Sequence, residues 1–140
     1  MLTKHLYALL LGSLLFTACK KEDDASPANN SSKIIGNWKR SFTAADTNGN
    51  KMMDASEKVL ASPGSYELLT FAPDGTCTDS FNNGGSGGKD LATYSVNGDW
   101  LTWTFTGTPS WVVKIYQLDD VALVIQDTSA PFIWLGYARQ

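Results

Sequence analysis

The chain has 140 residues, a net charge of −3 and 43% hydrophobic residues, enough for one core-forming domain and no more. It has no basic cluster, which argues against a nucleic-acid surface. Its one histidine, His5, and two cysteines, Cys19 and Cys77, leave little material for histidine-based triads or histidine-ligated zinc.

The chain opens on an export-type segment. Lys4 and His5 precede the apolar run Leu6–Phe16, about the length of a signal-peptide core and short of the ~20 residues a spanning helix needs. Thr17 and Ala18 are small, as a peptidase pocket requires, and Cys19 follows. Leu15-Phe16-Thr17-Ala18-Cys19 resembles the bacterial lipoprotein box, whose thiol is lipidated and becomes the new N-terminus. The plainer reading is an ordinary signal peptide followed by an incidental cysteine. Each buried CH₂ contributes ~0.8 kcal/mol, so two or three acyl chains on Cys19 would hold the protein to a bilayer without a transmembrane helix. Lys20-Lys21-Glu22-Asp23-Asp24 is physically a solvated charge run. It is also similar to the export signal of surface lipoproteins in the Bacteroidetes. That resemblance implies an outer-membrane, cell-surface location; a periplasm-facing lipoprotein is the alternative. Ala25–Ser32 contains no core-forming side chain and reads as a flexible tether. The expected organisation is a signal peptide over 1–18, a lipidated tether over 19–32 and a folded domain over 33–140.

Loss of the leader would remove His5, and lipidation would occupy Cys19. Cys77 would then have no partner for a disulfide and no histidine to activate it. Carboxylate-pair catalysis stays formally open. However, Asp74, Asp90, Asp99, Asp119, Asp120 and Asp127 read as turn acids serving backbone hydrogen bonds, so no enzymatic activity is expected.

Ile34–Phe42 reads as the first strand, with Trp38 and Arg40 on one face and Lys39 and Ser41 on the other. In the segment after it, Asp46, Asn48, Asn50, Asp54 and Glu57 occupy positions one, three, five, nine and twelve of a loop, and Met52 offers its carbonyl at seven. That is calcium-ligand spacing and resembles EF-hand and dockerin loops. Lys51 stands where such loops use glycine to turn with positive φ, and asparagines replace two acids. Any Ca²⁺ site here is therefore expected to be weak, ~10⁻⁴–10⁻³ M. The alternative is a polar surface loop whose Asp54 caps a short helical turn over Asp54–Leu60.

From Ser65 the pattern is extended segments and turns. Ser65–Ala72, Thr76–Phe81, Leu91–Val96, Trp100–Phe105, Trp111–Leu118, Val121–Gln126 and Phe132–Ala138 read as strands. Pro73-Asp74-Gly75 and Asn97-Gly98-Asp99 are turn signals. Asn82–Asp90 is so rich in glycine that it reads as a floppy loop. Eight strands in sequence order form an up-and-down meander that closes into a barrel, wide enough for packed side chains or one small ligand. The expected fold is therefore an all-β, eight-stranded barrel with a long loop and helical turn between strands 1 and 2.

Gly36-Asn37-Trp38, Phe71-Ala72-Pro73-Asp74-Gly75, Tyr94-Ser95-Val96-Asn97-Gly98-Asp99 with Trp100-Leu101, and Arg139 together resemble the bacterial lipocalin-like domain of small surface lipoproteins. The resemblance spans residues 34–140. It implies that Trp38 and Arg139 pair at the barrel floor through a cation–π contact. It also implies non-catalytic binding of a small apolar ligand, with Phe71, Trp103, Phe105, Trp111 and Trp134 as candidate lining residues. The same tryptophans suit a filled barrel. In that case the domain would be a structural or interaction module of a larger surface complex.

Overall fold

The computed structural model describes residues 30–129 and 131–140. The expected signal peptide, Cys19 and most of the tether lie outside the described residues.

A four-residue helical turn, α1 (Asn30–Lys33), is followed by nine strands: β1 (Gly36–Ala45), β2 (Lys58–Leu60), β3 (Ser65–Phe71), β4 (Thr76–Asn83), β5 (Ser86–Asn97), β6 (Trp100–Phe105), β7 (Trp111–Leu118), β8 (Ala122–Asp127) and β9 (Ile133–Arg139). Each of β3 to β8 pairs antiparallel with the next, and β1 pairs with both β3 and β9. The result is a closed eight-stranded up-and-down barrel with β2 as one extra strand. Closure leaves β1 without a free edge over most of its length, since β3 covers Gly36–Lys39 and β2 covers Phe42–Ala44.

The barrel has a filled end and a hollow end. At the filled end, inward side chains from successive strands (Trp38, Phe71, Leu101, Val113, Leu123 and Ile125) form one buried cluster with Ile34. The α1 turn closes this end. The Asn30 amide donates to the Gly98 carbonyl at 3.0 Å and to Asp99 Oδ1 at 3.2 Å, both in the β5–β6 turn. Asn30–Ser32, expected to be tether, is therefore part of the fold. A polar residue can be buried here because the turn supplies its hydrogen-bond partners.

Two expectations in the middle of the chain are corrected. Asn82–Asp90 is not a loose loop: β4 and β5 run through it and pair as far as Asn83–Ser86. Gly84 and Gly85 carry positive φ and make the two-residue turn. Gly88 leaves room for the Phe81 ring, which sits 2.8 Å from where a Cβ would stand. Asp90 is consequently a strand residue and not a turn acid. The helical turn expected over Asp54–Leu60 stops early. Ala55–Glu57 is a single 3₁₀ turn, and Lys58–Leu60 extends to pair with β1.

A one-residue bulge at Ser41 reverses the facing of β1. Beyond it, Phe42 and Ala44 lie on the outer surface, opposite Gly136 and Trp134 of β9. Ala44, Val124 and Trp134 form a second, smaller core outside the barrel wall, with Phe42, Met53 and Phe132 packed on it. The segment between β1 and β2 thus has its own apolar anchor, Met53. Asp46 N–H also donates to the Phe132 carbonyl at 2.9 Å.

Candidate functional site

The hollow half of the barrel holds a cavity of about 260 Å³. Leu69, Trp103, Phe105, Trp111, Leu135 and Tyr137 give it apolar walls, and Arg40, Glu67, Cys77 and Asp79 add polar atoms. Strand alternation delivers these groups. Arg40 follows Trp38 by two on β1, Glu67 precedes Leu69 and Phe71 on β3, and Asp79 follows Cys77 on β4. Each charged residue therefore shares the inward parity of core residues further down its own strand.

Arg40 and Glu67 neutralise each other. Arg40 Nη2 donates to both Glu67 oxygens at 2.6 Å and to the Tyr137 hydroxyl at 2.8 Å. Tyr137 in turn donates to Glu67 Oε1 at 2.7 Å, and Arg40 Nη1 donates to Thr43 Oγ1 at 3.2 Å. The Arg40 guanidinium also lies over the Tyr137 ring, 4.7 Å from its centre. Burial pushes the Tyr137 phenol well above its ordinary value, and the Glu67 charge adds to this.

Asp79 has no such partner. Its Oδ1 is buried and accepts no hydrogen bond. Burial, then the charges of Glu67 and Asp90, push its carboxyl up to about 6, against the opposing pull of Arg40. Arg40 Nε is likewise a buried donor without an acceptor, and Trp103 Nε1 has only the weakly accepting Cys77 sulfur beside it. Burial raises the Cys77 thiol to about 12, so it is a protonated wall residue and not a nucleophile.

The Asp79 shift has a consequence for stability. A carboxyl that holds its proton more tightly when folded stabilises the fold below the unfolded value near 4. That contribution is lost as the pH rises through about 6. A gap of this size corresponds to about 3 kcal/mol. Asp79 is only partly shielded from water, so roughly 1–2 kcal/mol is expected. Asp79→Asn should therefore match the parent at pH 4 and exceed it by that amount at pH 7.5. Urea melts of both proteins at the two pH values check this, because the other carboxylates cancel in the difference.

The structure distributes the sequence-derived candidates unevenly. Trp103, Phe105 and Trp111 line the cavity, with the two indoles stacked at 5.3 Å. Phe71 lies below them, stacked on Trp103 at 5.9 Å and edge-on to Tyr94 at 4.9 Å. Trp134 is fully buried, but in the outer cluster, with Tyr116 edge-on to its ring. It faces away from the cavity because it shares parity with Gly136, whereas Leu135 and Tyr137 face in. At the floor, the Arg139 guanidinium sits 4.5 Å from the centre of the Trp38 ring and donates to the Lys33 carbonyl at 2.6 Å. Trp38 Nε1 donates to the Ile34 carbonyl at 2.7 Å. Gly36 has positive φ, and a Cβ there would meet Arg139 Nη1 at 3.2 Å, so this glycine gives the guanidinium its room.

The calcium-type segment forms a loop closed on its own hydrogen bonds. Lys51 takes the left-handed conformation that glycine has in such loops, with φ of 61°. Its N–H donates to Asp46 Oδ2 at 3.0 Å. Asn48 and Asn50 accept from the N–H groups two residues on, and their amides donate to Asp54 Oδ2 at 2.8 and 2.9 Å. Asp46 Oδ1 is buried without a partner. Glu57 accepts instead from the Thr47 N–H and hydroxyl and from the Asp54 N–H. The bond from the Thr47 backbone is the largest influence holding the Glu57 carboxyl below its usual value. Among the described residues, no three acidic, cysteine or histidine side chains converge on one point. Asp46, Asn48, Asn50 and Asp54 come together, Glu57 is held elsewhere, and a cation would have to displace the two asparagine amides from Asp54.

No protein-family model and no curated protein matches the chain. Solved structures do. A lipocalin-like protein from Bacteroides uniformis superposes with a TM-score of 0.55 at 12% identity, covering 77% of this chain and 99% of that one. An uncharacterized protein from Bacteroides eggerthii superposes with a TM-score of 0.53 at 12% identity, covering 76% and 98%. At these identities the likeness is one of fold: the chain shares the antiparallel barrel fold of the lipocalin-like structure.

Proposed function

We propose that this protein is a non-catalytic binder of a small, mainly apolar ligand held inside the barrel. The observation that carries the reading is the cavity of about 260 Å³ above a filled floor, lined by two tryptophans, a phenylalanine and two leucines. Its size lies between the ~150 Å³ cavity that accepts benzene and the ~300 Å³ at which drug-sized pockets begin. A one- or two-ring molecule fits that range. The rival reading, a filled structural module, accounts for the floor but not for the hollow half.

Calorimetric titration of the full chain with 2-phenylethanol tests the proposal. A saturable heat is expected, and it should be lost in Leu135→Trp, which fills the cavity. The absence of saturable heat with one-ring compounds, neutral and charged alike, would leave the filled-module reading.

Attachment to the outer membrane through acylated Cys19, with the barrel at the cell surface, belongs to the same proposal. It rests on the Leu15–Cys19 sequence and the charge run behind it. Labelled palmitate should be incorporated by the parent and not by Cys19→Ala. A calcium role would belong to the Asp46–Glu57 insertion and not to the cavity, and the unpartnered Asp46 Oδ1 and the left-handed Lys51 favour it. Superimposable melting curves with excess calcium and with chelator would remove that role.

A further inference from the structure

The charges around the cavity do not cancel. Arg40 is matched by Glu67 at 2.6 Å, and both its terminal nitrogens already donate, to Glu67, Tyr137 and Thr43. Asp79 is left over. It is a carboxylate on the cavity wall with a buried, unpartnered oxygen, and Asp90 stands opposite it in the β4–β5 register on the same face. An anionic ligand such as a fatty acid would meet the uncompensated Asp79 carboxylate, with the exposed Asp90 charge next to it. Of the Arg40 donors, only Nε–H and one N–H of Nη1 are left without an acceptor to receive it. A neutral hydrocarbon would leave Asp79 Oδ1 buried and unsatisfied, which costs free energy. A ligand bearing a positive N–H group would satisfy that oxygen and balance the charge. The aromatic walls suit the same ligand, because Trp faces attract cations better than aliphatic side chains do. The Trp103 N–H, on a residue only 3% exposed, has only the weakly accepting Cys77 sulfur beside it and offers a donor to a stronger acceptor on the ligand body.

Building on the cavity reading above, we propose that the ligand is a small organic cation: an ammonium group held at Asp79 and carried on a one- or two-ring apolar body packed against Trp103, Trp111 and Phe105. The Asp79 carboxylate is the specificity-determining group, and Arg40–Glu67 positions it by removing the competing cation.

Three compounds of nearly the same shape separate the alternatives: 2-phenylethylamine, 2-phenylethanol and phenylacetate, titrated calorimetrically into the full chain at pH 7.5. The amine should bind at least ~10-fold more tightly than the alcohol, and phenylacetate should bind more weakly than either. In Asp79→Asn the amine should fall to the affinity of the alcohol while the alcohol keeps its own. At pH 5 the amine should weaken and the alcohol should not. The charged and titratable groups facing Asp79 are Arg40 from β1, Glu67 from β3, Cys77 from its own strand, Asp90 from β5 and Tyr137 from β9. Of these, Cys77 and Tyr137 are shifted upward and stay neutral across this range. Alcohol binding equal to or tighter than amine binding, tightest binding by phenylacetate, or an amine preference that survives in Asp79→Asn would overturn the cation proposal while leaving the cavity reading intact. Failure of all three compounds to bind would overturn both.

Discussion

Trp38→Ala is expected to lower stability by ~3–5 kcal/mol, the largest single loss among the substitutions considered. Trp38 is fully buried at the floor, where its ring packs into the main core under the Arg139 guanidinium. Three contributions disappear together. The cavity left by the indole cannot collapse, because β1 is fixed on both sides by β3 and β9. The hydrogen bond from Nε1 to the Ile34 carbonyl goes, leaving that carbonyl without its side-chain donor. Arg139 also loses the ring face beneath it. Arg139→Met should cost only about 1 kcal/mol, since Arg139 is exposed and an aliphatic stem still covers the ring. Denaturant midpoints at constant slope would measure both. A Trp38→Ala loss no larger than that of Arg139→Met would mean that the floor is not the rigid end of the barrel.

Much of the barrel could be read from alternation and turn chemistry, and the departures have local causes. Period-two patterning places Trp38 with Arg40, and Trp100 opposite Trp103, because those segments contain no irregularity. The Ser41 bulge is invisible to that rule, and with it the rule's parity fails for Phe42 and Ala44. Residue type alone points Trp134 to the cavity, whereas its parity with Gly136, opposite to that of Tyr137, points it outward. That glycine is the available signal, since a Cβ there would run into the Phe42 ring. Asn82–Asp90 looked mobile because glycine lacks strand propensity. The β4–β5 ladder nonetheless holds it, with Asn82 and Asn83 also paired to β3, and Gly88 is there to admit the Phe81 ring. The pairing of Lys58–Leu60 with β1 depends on a contact across the whole insertion, which no local pattern encodes.

The candidate site was half legible for a related reason. Aromatic residues attract notice as ligand contacts, and three of those named do line the cavity. The polar half was passed over because inward charges look like errors in a strand pattern. Three neighbouring strands, β1, β3 and β4, each break the apolar inward face with a charged residue: Arg40, Glu67 and Asp79. One such break is a structural ion pair waiting for its partner. Three with an odd count of charges leave one group over, and that remainder is what the proposed cationic ligand would match.

Arg40→Met tests how that polar half is held. Removing one member of a fully buried pair costs ~3–5 kcal/mol. Arg40 and Glu67 retain 18% and 26% of their side-chain exposure, so roughly 2 kcal/mol is expected at pH 7.5. The sign of the pH dependence follows from the charges. Arg40 pulls the Asp79 carboxyl down, so losing it lets that group rise beyond its present value of about 6. A folded-state value further above the unfolded one means stability that is present at low pH and lost as the pH rises through the new, higher value. The deficit of Arg40→Met should therefore widen between pH 5 and pH 8 and shrink on acidification. Adding Glu67→Gln should restore most of the stability, because the double variant buries no unmatched charge at that position and keeps a donor near Tyr137. The coupling between the two substitutions, from urea midpoints of the four proteins, should exceed 1 kcal/mol. Simple additivity, or a deficit that does not change with pH, would mean that water already screens Arg40 from Glu67 and Asp79. The hollow end would then be a wet vestibule rather than a preorganised pocket.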